Sequence, residues 1–161
     1  MAGKLPSLTQ LSTQEREAIA LLRLGIVWAH WNSEVTHNLR TAAKALCVEA
    51  GVYEQNLFEL QVPGSFELPL AAKWVMDQHD LDAVICLGCI IKGETDHDVY
   101  IAHAVSHALQ HLAIQYSKPF VFGVLTVNSI EQAIARSGGS LGNKGEEAAM
   151  TALKMCYLKL N

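Results

Sequence analysis

Residues 82–91 read DAVICLGCII, a nearly continuous apolar run rich in β-branched residues and far too short to cross a membrane as a helix. A strand with one solvated face alternates apolar and polar residues. This one does not, so helices are expected on both of its faces, as in parallel sheets.

The neighbouring segments agree. Upstream, LRLGIVWA at 22–29 reads as a second buried strand, and 33–50 as a helix with Val35, Leu39, Ala42, Ala43 and Leu46 at helical spacing, closed by Gly51. NLFELQV at 56–62 is a strand, and 67–78 a helix that tolerates Pro69 in its first turn. Downstream come a helix from His97 to Tyr116, the strand PFVFGVLTV at 119–127, and helices over about 129–137 and 144–160, the first capped by Asn128 with Glu131. Residues 1–20 lack a core pattern and read as an arm, although Ser12 and Glu15 have capping-box spacing. The alternation predicts one α/β domain over 1–161. Its architecture is a three-layer α/β/α sandwich with a four-stranded parallel sheet, flavodoxin-like and joined by right-handed crossovers.

Bulk properties narrow the function. Half of the 161 residues are hydrophobic and 17% are charged, which fits a packed core and not a disordered chain. A net charge of −4 gives no basic footprint for nucleic acid. No apolar run has membrane-span length, and no basic-then-apolar leader opens the chain. Four cysteines in such a chain fit a reducing cytoplasm. So apolar a composition in so small a domain also predicts burial between subunits.

Ligands of open parallel sheets bind beyond the carboxyl ends of the strands. The four exits are His30-Trp31-Asn32, Val62-Pro63-Gly64-Ser65-Phe66-Glu67, Lys92-Gly93-Glu94-Thr95-Asp96-His97 and Thr126-Val127-Asn128. Taken singly, Asn32, Thr126 and Asn128 fit turns or caps. Together the exits gather aromatic, acidic, hydroxyl, imidazole and glycine groups along one edge. Gly93 allows close backbone approach, the amides of Glu94 and Thr95 precede a helix and suit an anion, and His97 has an imidazole fit for proton transfer. Two further motifs are weaker. Residues 136–145, RSGGSLGNKG, resemble a P-loop, but Asn143 separates Gly142 from Lys144, no Ser or Thr follows the lysine, and the segment lies between helices. It is either an interhelical loop or a place where Arg136 and Lys144 meet a phosphate or polar ring. Cys86, Cys89, His103 and His107 have nearly zinc-finger spacing, but cysteines three apart in a strand point to opposite faces, so they are expected in the core. His103, His107 and His111 share one helix stripe, either a polar face or the lining of an oligomer channel.

Trp31-Asn32, VPGSFELP at 62–69, IIKGETDH at 90–97, VFGVLTVNSIEQAIARSG at 121–138 and GNKG at 142–145 occur together in an order that resembles the lumazine synthase family. The resemblance covers about residues 22–160. It implies condensation of 5-amino-6-(D-ribitylamino)uracil with 3,4-dihydroxy-2-butanone 4-phosphate, giving 6,7-dimethyl-8-ribityllumazine, phosphate and water in riboflavin biosynthesis, without metal or organic cofactor. Carried over by motif position, Trp31 stacks on the pyrimidine, Ser65 and Phe66 contact it through backbone, Glu67 holds ribityl hydroxyls, and the backbone of Cys89, Ile90 and Ile91 reads the pyrimidine edge. Glu94 and Thr95 amides hold the phosphate with Arg136 as its cation, and His97 is the general acid/base. Phe122, Arg136 and Lys144 are expected from a neighbouring subunit, in a homopentamer that some members extend to a sixty-subunit icosahedral capsid; riboflavin synthase is a candidate partner. The chain departs from the family pattern at Lys92, where arginine is usual, in the order Asp98-Val99-Tyr100, and at Ala135 and Ser140, where charged residues are common. A carrier of the same fold and a structural shell protein are the competing readings; the presence of His97 and Arg136 argues against the first.

Overall fold

The structure, a computed structural model, describes residues 12–160. Four parallel strands, β1 (Leu24–Ala29), β2 (Leu57–Val62), β3 (Ala83–Ile91) and β4 (Phe120–Val127), form a sheet of order β2-β1-β3-β4. Helices α1 (Thr13–Ala20), α2 (Ser33–Glu49), α3 (Leu68–His79), α4 (His97–Tyr116), α5 (Ile130–Arg136) and α6 (Lys144–Leu160) alternate with and follow the strands. The predicted four-stranded α/β/α sandwich is the observed one.

β3 explains why the sheet is covered twice. Ala83, Ile85, Leu87 and Cys89 join one core with Val35, Leu39 and Ala43 of α2 and Ala149, Ala152 and Leu153 of α6. Val84, Cys86 and Ile90 join a second core with Leu68, Ala72 and Val75 of α3 and Val105 and Leu109 of α4. Successive strand residues thus enter opposite layers, and a run without alternation is what two apolar layers require. Cys86 and Cys89 fall in different cores, as their spacing predicted.

β1 pairs with β2 on one side and β3 on the other, so the chain reverses direction across the sheet at β1. The reversal opens a crevice beyond the carboxyl ends of β1 and β3, where open α/β sheets take their ligands. β4 pairs with β3 through eight residues and is the edge strand.

Local chemistry accounts for some of the helix boundaries. Ser12 and Glu15 form the expected capping box on α1. Within the segment read as an arm, α1 is therefore a helix, and Ile19 packs into the first core; residues 1–11 lie outside the described residues. Gly51, at φ +108°, ends α2 in a conformation that costs glycine little. A 3₁₀ turn, Ser65–Glu67, precedes α3, so the α-helix begins one residue later than expected. The α5 cap also differs. Ser129 is the N-cap, and the Gln132 side chain, not that of Glu131, accepts from the Asn128 N–H at 3.0 Å.

The segment 137–143 is not a plain loop. Ser137–Gly139 (β5) and Gly142–Asn143 (β6) form a small antiparallel ribbon. Gly138 and Gly142 carry positive φ, which lets so short a reversal close. The Leu141 N–H donates to the Ala135 carbonyl at 2.8 Å and ties the ribbon to the end of α5.

All four cysteines are free and buried. Burial pushes the Cys47 and Cys156 thiols up to about 12 and Cys89 up to about 11, and raises Cys86 as well. Thiols are inert until ionised. At pH 7 a thiol-specific chromogenic reagent is expected to label none of the four within minutes in the native protein and all four in denaturant. Rapid native labelling would contradict the packing described.

Candidate active site

Three strand exits converge on one cavity of about 910 Å³. The first supplies Trp31 and Asn32, the second Ser65, Phe66 and Glu67, and the third Cys89, Ile90, Ile91, Gly93, Thr95, His97 and Asp98, with Tyr100, Ile101 and Ala104 continuing along α4. Backbone hydrogen bonds fix the exits to each other. The His30 N–H donates to the Val62 carbonyl at 2.7 Å, and the Trp31 N–H to the Pro63 carbonyl at 3.0 Å.

The aromatic groups are presented outward. Trp31 is 66% exposed and Phe66 59%, two large rings with no apolar cover of their own on a cavity rim. Beneath them Ser65, Cys89 and Ile90 are buried and form the floor. One Glu67 oxygen accepts from the Gly64 N–H at 3.0 Å, which fixes the carboxylate at the start of α3. His97 is exposed and opens α4, and Thr95 and Gly93 stand just before it. Glu94 is exposed too, and its side chain takes no part in the cavity lining.

Asn32 does more than its sequence suggested. It precedes α2 in the left-handed conformation (φ 58°, ψ 46°), yet its side chain makes no cap bond. Instead Nδ2 donates to the Cys89 carbonyl at 3.0 Å, bridging the ends of β1 and β3. A non-glycine residue at positive φ persists where its surroundings hold it there, and here the hydrogen bond across the crevice helps to do so. Asp98, Tyr100, Ile101 and Ala104 were also absent from the sequence-derived set. Helical spacing from His97 through residues 100, 101 and 104 was the available signal.

Phe122, Arg136 and Lys144 are not in this cavity. They line a second, apolar-walled groove of about 1000 Å³ along the β4 edge, between Ser106, Leu109 and Ala113 of α4 and Ala148, Thr151 and Met155 of α6. Phe122, on β4, is 39% exposed. The Arg136 Nη1 donates to the Gln132 carbonyl at 3.0 Å, and among the described residues its guanidinium has no carboxylate partner. The Lys144 Nζ contacts both Glu147 oxygens, at 2.8 and 2.7 Å. The chain therefore holds two constellations: one of aromatic, carboxylate and imidazole groups, and one of an exposed phenyl ring with two cations.

The family model for 6,7-dimethyl-8-ribityllumazine synthase matches residues 21–159. The chain is 48% identical over 131 residues to the 6,7-dimethyl-8-ribityllumazine synthase of Cytophaga hutchinsonii, covering 81% of this chain and 82% of that one. It is 44% identical over 138 residues to the protein of the same name from Porphyromonas gingivalis (86% of each chain), and 42% identical over 134 residues to that of Parabacteroides distasonis (83% and 84%). The cavity at the strand exits and these similarities lead to one conclusion: the chain belongs to the 6,7-dimethyl-8-ribityllumazine synthase family.

Proposed function

We propose that the two constellations are halves of one active site, joined when the cavity of one chain meets the β4-edge groove of another. There the enzyme condenses 5-amino-6-(D-ribitylamino)uracil with 3,4-dihydroxy-2-butanone 4-phosphate in riboflavin biosynthesis. The observation that carries this reading is the separation itself. Trp31, Glu67 and His97 line one cavity, while Phe122, Arg136 and Lys144 line another, on the open edge of the sheet.

In this reading the pyrimidine stacks on Trp31, with Phe122 of the neighbour beside it and Lys144 of the neighbour at its polar rim. The backbone of Ser65, Phe66, Cys89, Ile90 and Ile91 reads the ring edge, and the Glu67 oxygen not engaged by Gly64 takes ribityl hydroxyls. The amides of Glu94 and Thr95, at the start of α4, hold the phosphate, and the neighbour's Arg136 supplies the opposing charge. The 5-amino group attacks the ketone and water leaves to give an imine. Phosphate is then eliminated, and the ribitylamino nitrogen closes the ring with loss of a second water. His97 carries protons between these steps, worth about 10²–10⁴-fold, while holding both substrates in register supplies up to about 7–11 kcal/mol.

The same reading makes a homopentamer the minimal unit, since a closed ring pairs every cavity with a groove by one repeated contact. The short 138–145 connection leaves a sixty-subunit shell open to this chain. We read 1–161 as one lumazine-synthase-like domain acting in the cytoplasm, with riboflavin synthase as the partner that takes its product.

Arg136→Ala tests the phosphate assignment. A charge-assisted hydrogen bond contributes about 1.5–3 kcal/mol, so KM for the butanone phosphate is expected to rise roughly 10- to 150-fold while KM for the pyrimidine changes little. Equal losses for both substrates in steady-state kinetics would instead make Arg136 a packing residue.

A further inference from the structure

One side-chain constellation in the sequence lies outside the reaction above: its two thiols and two imidazoles have no role there, although the Cys89 backbone does. Cys86, Cys89, His103 and His107 have nearly zinc-finger spacing, and the fold pulls the two pairs apart. The thiols are buried on opposite faces of β3. The two histidines stand exposed on α4, outside the linings of both cavities. Their rings stack, with centroids 6.1 Å apart and planes 22° from parallel.

Residues four apart leave a helix on the same face, so both imidazoles can turn toward one point above it. Binding requires one nitrogen from each ring at about 2.0–2.1 Å from a common ion, which rotation of two exposed side chains can supply. The helix itself carries no cation that would repel a metal ion: α4 contains no Lys or Arg. Ser106, between the two, does not compete, because its hydroxyl donates to the His103 carbonyl at 3.1 Å. Neutral imidazoles without carboxylates favour borderline transition ions over magnesium or calcium.

We propose that His103 and His107 form a surface chelate for a divalent transition metal, with Cu²⁺ bound more tightly than Ni²⁺ or Zn²⁺ and the remaining coordination positions open to water. The stacked rings distinguish this pair from His107 and His111, which have the same spacing. The test is equilibrium dialysis of the full-length protein against NiCl₂, with nickel counted per chain, alongside thermal unfolding with and without the metal. The wild type should hold one more Ni²⁺ per chain than the His103→Ala/His107→Ala double variant, and its Tm should rise with Ni²⁺ where that of the double variant does not. Each single variant, His103→Ala or His107→Ala, should weaken binding at least about tenfold, and His111→Ala should leave it unchanged. All are exposed positions on a long helix, and circular dichroism checks that the variants fold. Single variants that bind nickel as tightly as the wild type would overturn the proposal, as would a His111→Ala loss equal to that of His107→Ala.

Discussion

Replacing His97 by alanine is expected to lower kcat by about two to four orders of magnitude while KM for either substrate stays nearly constant. The imidazole stands exposed at the first position of α4, on the wall of the cavity and next to the Gly93–Thr95 turn. Among the described residues its side chain makes no hydrogen bond or ion pair, so the change is expected to affect proton transfer more than stability. The condensation needs protons moved to a leaving hydroxyl and away from an attacking amine, and among the described residues no other imidazole lines the cavity. Lumazine formation followed by absorbance at saturating substrate gives the number. An unchanged kcat would remove His97 from the mechanism.

The second large effect is on the fold. At Gly145, in the first turn of α6, an added Cβ would lie 2.0 Å from the Leu39 carbonyl oxygen, 2.7 Å from its carbon and 2.9 Å from the Leu39 Cα. All three are backbone atoms of α2, so no side chain can rotate away and the two helices must separate. Forced overpacking ordinarily costs about 1–3 kcal/mol, and a clash with backbone belongs at or above the top of that range. Gly145→Ala is therefore expected to lower Tm by about 10 °C or more. Gly93→Ala is the control. A Cβ there meets nothing within 4 Å, and Tm should move by no more than a degree or two. Equal shifts for the two variants would mean that α2 and α6 do not meet as closely as described.

How much of this was legible in the sequence depended on whether a local pattern carried the information. β3 announced itself because ten residues without polar alternation admit few other readings, and the bounds expected for α4 are the observed ones. The residues of the first cavity were legible because strand ends in a parallel sheet share one edge, so three loops distant in sequence could be read as neighbours; the fourth exit, expected with them, instead sends Thr126 and Val127 to the β4-edge groove. The β5–β6 ribbon was not, because Ser-Gly-Gly and Gly-Asn carry no alternation and its geometry comes from two positive-φ glycines. α1 was missed as a helix because only Ile19 is buried from it. Asn32 looked like a helix cap, and its bond to the Cys89 carbonyl joins residues 57 apart, beyond the reach of any local rule. The separation of Phe122, Arg136 and Lys144 from the first cavity had only the family resemblance behind it until the fold put β4 at the sheet edge.

That separation is the centre of the account, and complementation measures it. His97→Ala leaves the groove with its arginine intact, and Arg136→Ala leaves the cavity with its imidazole intact. Assayed with the butanone phosphate well below the raised KM of the Arg136 variant, each variant alone is expected to be nearly inactive. If the two are mixed in equal amounts, dissociated and reassembled, roughly a quarter of the interfaces should join an intact cavity to an intact groove. Lumazine formation should then return to a sizeable fraction of the wild-type rate, approaching that quarter. With subunit exchange verified by mass, a mixture no more active than its parents would contradict the account and put the whole site within a single chain.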